Sequence, residues 1–208
     1  MVAVSASRTS VRLPHIQPGM RIGLFGGSFD PPHAGHREVS LVALRALGLD
    51  QVWWLVSPQN PLKRDAPSED LDRRIAAARR LADDPRIKVT GVEAALRTNY
   101  TAETLRRLAP RLAGVHPVWM MGADNLATFH HWRDWRGIAD SVPIAVFNRP
   151  GLALKALSSP AARALARFRI PDREAARLAL MTPPAWVFLP TPHIPLSSTL
   201  LRQRRQAS

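Results

Sequence analysis

Residues 26–36 read Gly-Gly-Ser-Phe-Asp-Pro-Pro-His-Ala-Gly-His, a run whose chemistry points at phosphate. His33 and His36 stand three apart, so on a helix they share one face. In a helix's first turn, both imidazoles lie beside free N–H groups and the positive end of the dipole, where they can donate hydrogen bonds to phosphate oxygens. Gly26 and Gly27 permit close backbone approach and positive φ. Pro31 and Pro32 stiffen the entry to the helix, where a missing N–H costs little. Ser28 and Phe29 complete the turn, Phe29 being suited equally to core or ligand contact, and Asp30 to capping the turn or fixing a neighbour. Asp30, His33 and His36 would also make a metal set, but phosphate binding explains the glycines and a metal site does not.

A second cluster lies near the C-terminus, Leu196-Ser197-Ser198-Thr199-Leu200-Leu201-Arg202. Hydroxyls at a helix start are N-caps first of all. With free N–H groups and Arg202 on the same turns, Ser197, Ser198 and Thr199 form a second cradle for phosphate.

Short apolar runs must position these clusters. Strands are expected at 21–25, 51–56, 87–92, 117–121, 142–147 and 185–189. Helices are expected at 34–47, 69–82, 101–112 and 123–140 (the last broken), then at 155–168, 172–181 and 197–206. Strands that are almost wholly apolar belong to a parallel sheet buried on both faces. The alternation predicts an α/β fold with a doubly wound, mostly parallel sheet, in one domain. Its ligand crevice lies outside the carboxyl ends of the strands, where the Gly26–His36 turn falls. Residues 1–20 read as a loose N-terminal extension and 21–208 as the domain.

Composition narrows the class. The absence of cysteine excludes a disulfide framework, a thiolate metal site and a cysteine nucleophile. No apolar run reaches the ~18 residues of a membrane span, and residues 1–20 lack a signal peptide's apolar core, so a cytoplasmic protein is expected. A formal net charge of +13 suits anionic partners. Nucleic acid is not favoured, because the basic C-terminal third lacks interleaved exposed aromatics. A solvated basic face and attraction of phosphorylated substrates remain.

The run Gly26–His36 resembles the His-x-Gly-His signature of the nucleotidyltransferase superfamily, in the longer form of the bacterial nicotinate-nucleotide adenylyltransferases. The segment Leu196–Arg202 resembles that family's Ile-Ser-Ser-Thr-x-x-Arg. Three more segments match in order. Residues 57–64, Ser-Pro-Gln-Asn-Pro-Leu-Lys-Arg, resemble a Pro-rich loop ending in a basic residue, although Leu62 stands where many members carry histidine. Residues 100–105 resemble Tyr-Thr-x-x-Thr-Leu, and Gly122 to Trp132 resembles Gly-x-Asp-x7-Trp.

The resemblance implies adenylyl transfer from ATP, taken as its magnesium complex, to nicotinate mononucleotide, with a Rossmann-like fold. It places His33, His36 and Arg202 in catalysis, and Gly26, Gly27, Ser28, Phe29, Ser197, Ser198 and Thr199 with them around ATP. It places Lys63, Thr101, Asp124, Trp132 and Arg149 around the nicotinate nucleotide, with Trp132 as a platform for the flat, cationic pyridinium. Thr101 with Thr104 could instead simply start a helix, and Arg149 could be a surface arginine. In-line displacement needs positioning and charge stabilisation, not a nucleophile, and no dedicated protein cage is expected for magnesium. A nicotinamide-mononucleotide or pantetheine-phosphate adenylyltransferase is the neighbouring alternative. A basic nucleic-acid-binding module is the alternative of another class.

Overall fold

The computed structural model describes residues 13–58, 70–149 and 151–191. Seven strands form one sheet: β1 (Arg21–Gly27), β2 (Gln51–Val56), β3 (Ile87–Thr90), β4 (His116–Gly122), β5 (Ile144–Phe147), β6 (Arg169–Ile170) and β7 (Trp186–Leu189). They run in the order β3-β2-β1-β4-β5-β7-β6, and every pairing is parallel. The order reverses between β1 and β4, which is where a doubly wound sheet opens its crevice.

Both faces are buried, as an all-parallel sheet requires. Successive residues of β2 show it: Trp53 packs into one core cluster and Trp54 into the other. Each indole N–H still finds an acceptor, Trp53 donating to Gln51 Oε1 at 2.8 Å and Trp54 to Ser40 Oγ at 2.7 Å.

The connecting helices are α1 (Ala34–Ala46), α2 (Leu71–Leu81), α3 (Val92–Ala95), α4 (Thr101–Leu108), α5 (Ala123–Thr128), α6 (Trp135–Ser141), α7 (Ala153–Leu157) and α8 (Pro160–Ala164). Three expectations need correction. The third strand stops at Thr90, since Val92 begins α3 within its expected span. The helix expected at 155–168 is three pieces, because Ser159 caps a new helix, its Oγ accepting from the Ala162 N–H at 3.3 Å, with Pro160 at the first position. Residues Asp172–Leu180 form a 3-10 helix.

Residues 13–20 carry no helix or strand, yet Leu13, Ile16 and Met20 pack against the core and the Gly19 N–H donates to Gly114 O at 2.7 Å. Residues 1–12 and the helix expected at 197–206 lie outside the described residues. No helix among the described residues is long and apolar enough to cross a membrane.

Candidate active site

A cleft of about 640 Å³ opens where β1 and β4 end. The turn at residues 26–36 forms one wall. Gly26 and Gly27 end β1, and α1 starts four residues after Asp30, which is buried. The glycines serve close approach but not positive φ: neither adopts it, and the left-handed residue of the turn is Phe29, at φ 47°. What Gly26 makes room for is a ring, since a Cβ there would fall 2.6 Å from the Trp119 indole. Pro31 and Pro32 stand ahead of the helix rather than in its first turn, and His33 itself is the N-cap residue.

The histidine pair is held by this geometry. The two rings lie 3.8 Å apart, centroid to centroid. The His33 N–H donates to His36 Nδ1 at 3.1 Å, which assigns the proton of a neutral His36 to Nε2. The His36 ring packs against Phe29 at 4.7 Å and Phe25 at 5.9 Å. Burial holds His36 well below its ordinary value, helped by the nearby His33 and Arg149. Burial and then Arg149 lower His33 to about 4. Both imidazoles are therefore neutral at pH 7. His33 is buried, and neither of its ring nitrogens has a hydrogen-bond partner. A neutral imidazole offers one donor and one acceptor, so His33 has an unspent N–H beside a helix N-terminus.

Phe29 borders the cleft, but its ring belongs to the core, stacked on Trp54 at 5.0 Å. Ser28 borders it as well. Across the cleft stand Thr101, Asp124, Trp132 and Arg149. Thr101 opens α4, and its N-cap is Tyr100, whose side chain makes no capping bond. Trp132 is half-buried, edge-on to Phe129 at 5.4 Å. The guanidinium of Arg149 reaches a carboxylate oxygen of Asp124 at 3.3 Å. The five motif segments thus divide: those around residues 26–36, 100–105 and 122–132 meet at one cleft. Lys63, Ser197, Ser198, Thr199 and Arg202 lie outside the described residues. Among the described residues no group of three or more His, Asp or Glu is arranged to hold a metal ion, and Asp30, His33 and His36 do not form one.

Three residues at or beneath the cleft escape the sequence reading. Glu93 borders it from α3, almost wholly buried. Thr104 Oγ1 donates to its carboxylate at 3.0 Å, and Thr98 and Thr104 share a 2.8 Å bond. Burial raises Glu93 to about 7, partly offset by hydrogen bonds from Thr104 and Ser57. A lone acid in Gly-Val-Glu-Ala-Ala-Leu was its one signal, hidden because the strand was expected to run to residue 92. Trp119 borders the cleft with a buried, unpartnered Nε1. Arg74, buried beneath the turn, looks in sequence like the exposed Arg73, Arg79 and Arg80 of the same helix.

The cytidylyltransferase-like family pattern matches residues 24–204. A probable nicotinate-nucleotide adenylyltransferase from Cereibacter sphaeroides is 55% identical over 183 residues, covering 88% of this chain and 96% of that one. One from Parvibaculum lavamentivorans is 52% identical over 189 residues, covering 91% and 94%. Among solved structures, a Plasmodium falciparum nicotinic acid mononucleotide adenylyltransferase complexed with NaAD superposes with a TM-score of 0.63 at 14% identity, covering 88% of this chain and 83% of that one. At that identity the likeness bears on the fold alone.

Proposed function

We infer the reaction from family and site together: the chain belongs to the cytidylyltransferase-like family and, within it, to the nicotinate-nucleotide adenylyltransferases. It is a nucleotidyltransferase of NAD biosynthesis. It transfers the adenylyl group of ATP to nicotinate mononucleotide, giving nicotinate adenine dinucleotide and pyrophosphate. An oxygen of the mononucleotide phosphate attacks the α-phosphorus in line, and the bond from that phosphorus to the bridging oxygen of pyrophosphate breaks. No covalent enzyme intermediate is needed.

The observation that carries the residue roles is the neutral His33–His36 pair at the start of a 13-residue helix, with an unspent donor on His33. In this reading His33 and His36 donate to the ATP phosphates, His36 through Nε2 near the α/β bridge. Donors fixed in place before the reaction stabilise charge that builds on the leaving oxygen without reorganising. Gly26, Gly27, Ser28 and Phe29 supply the backbone wall, and Ser197, Ser198, Thr199 and Arg202 the second cradle. Thr101, Trp132, Asp124, Arg149 and Lys63 take the nicotinate nucleotide. Trp132 offers its face to the pyridinium, and Arg149 its charge to a phosphate when Asp124 releases it.

Magnesium enters as part of the substrate, held by the triphosphate and water. Such water-soluble substrates suit a cytoplasmic enzyme, with residues 21–208 as its catalytic domain. The test is pyrophosphate release from Mg-ATP, with nicotinate and nicotinamide mononucleotides compared side by side. Strong preference for the acid is expected. Equal or reversed preference would overturn the substrate assignment while leaving the phosphate chemistry standing.

A further inference from the structure

We propose that Arg74 is a positioning residue for adenylyl transfer, tying the phosphate turn after β1 to the chain leaving β2. The proposal rests on the reading above that the turn holds ATP. Arg74 is 1% exposed, in the first turn of α2. Its Nη1 donates to Ser28 O at 2.6 Å and to Ser57 O at 2.7 Å. Its Nη2 donates to Pro58 O at 2.9 Å. One guanidinium therefore gathers carbonyls from two loops. The Ser57 N–H closes the joint by donating to Gly27 O at 2.9 Å.

Burial of a permanent charge is costly unless its donors are satisfied, and here three backbone carbonyls satisfy them. The neighbouring arginines of α2 stay in water. What Arg74 holds lies along the cleft. Ser28, Phe29 and Ser57 all border the cleft. Phe29 is a bulky residue with φ 47°, a conformation that persists only where its surroundings over-determine it. Arg74 grips the carbonyl of the peptide joining Ser28 to Phe29. Because that peptide is planar, fixing its C=O also fixes the Phe29 N–H, on the opposite side. A carbonyl that accepts from a cation also makes its own N–H a stronger donor. Arg74 thus sets both the direction and the strength of a backbone donor in the phosphate turn. Through Ser57 and Pro58 it also fixes the chain where it leaves β2.

The experiment uses the full chain and compares Arg74→Lys and Arg74→Met with wild type. Three quantities are read: thermal melting, kcat and KM per folded molecule, and affinity for magnesium-bound α,β-methylene ATP. Lysine keeps the charge but places its three donors on one atom, without the fork that reaches Ser28, Ser57 and Pro58, and methionine has no donor. The expected result is a fall in kcat of tenfold or more for the lysine variant and a hundredfold for methionine. Analogue affinity should fall at least fivefold, even where melting is close to wild type. Activity per folded molecule and analogue affinity both within twofold of wild type would overturn the proposal, making Arg74 merely structural. Should the methionine variant fail to fold, the lysine variant decides. Should both fail, wild type decides by amide exchange: the analogue must slow the Ser57 amide as well as that of Phe29, and protection confined to 26–36 overturns the coupling. A wild type inactive with nicotinate mononucleotide would refute the function above, whereas analogue affinity would still judge Arg74.

Discussion

The guanidinium of Arg149 lies 3.3 Å from a carboxylate oxygen of Asp124, and its charge reaches both histidines of the turn between β1 and α1. One cation thus spans the two halves of the cleft. It pairs with an acid on one wall and opposes protonation of the histidine pair on the other.

Replacing Arg149 by glutamine removes that opposition. The His33 titration should move up from about 4, yet stay below 6.5 because burial is the larger cause. Imidazole NMR shifts followed against pH measure it. An unmoved or lowered His33 titration would contradict the electrostatic link.

The packing of Gly26 against Trp119 makes a second prediction. A methyl at position 26 would meet a rigid ring at 2.6 Å, so Gly26→Ala should cost about 1–3 kcal/mol. It should also slow the reaction by displacing the turn. Adding Trp119→Phe should restore part of the stability, because the smaller ring frees the space. Urea denaturation of both proteins gives the comparison, and a fully stable Gly26→Ala protein would show the contact to be soft.

Stability should depend on pH through groups that act in opposite directions. His33 has a folded value of about 4 against an ordinary 6.5, so its contribution is present above pH 6.5 and lost as pH falls toward 4. His36, also depressed, acts in the same direction. Glu93 is raised from 4.5 to about 7, so its contribution is complete below pH 4.5 and lost as pH rises through 7. Glu93→Gln removes the second slope. Between pH 5 and pH 8 the variant should gain about 2 kcal/mol more than wild type does. Chemical denaturation at the two pH values measures this, and identical gains would mean that Glu93 ionises normally.

His36→Ala should lower turnover by orders of magnitude. Its ring also packs on Phe25 and Phe29, so a cavity cost of about 2–3 kcal/mol accompanies the change. His36→Asn fills more of that space and keeps a donor, so it separates packing from chemistry. A folded His36→Ala enzyme turning over at the normal rate would remove His36 from the mechanism.

Much of the fold was readable because its signals are local. Each of the six expected strands is present, and α1 and α2 fall within two residues of their expected ends. β6 is only two residues long and leaves no periodicity to detect. The helix expected at 155–168 breaks at Ser159-Pro160, a stop and start signal that was present but outweighed by the apolar pattern around it.

By itself the sequence determined the parallel α/β alternation, the placement of a glycine- and proline-rich turn at a strand's carboxyl end, and the family. These follow from short-range patterns: period, glycine, proline and the spacing of two histidines. Only the tertiary structure decided what the turn's residues do. It made Phe29 rather than a glycine the left-handed residue, and it neutralised both histidines. It raised Glu93 and set Arg74 beneath Ser28 and Ser57. The reason is that burial and distance set a charge's energy, and both depend on elements brought together from distant parts of the chain.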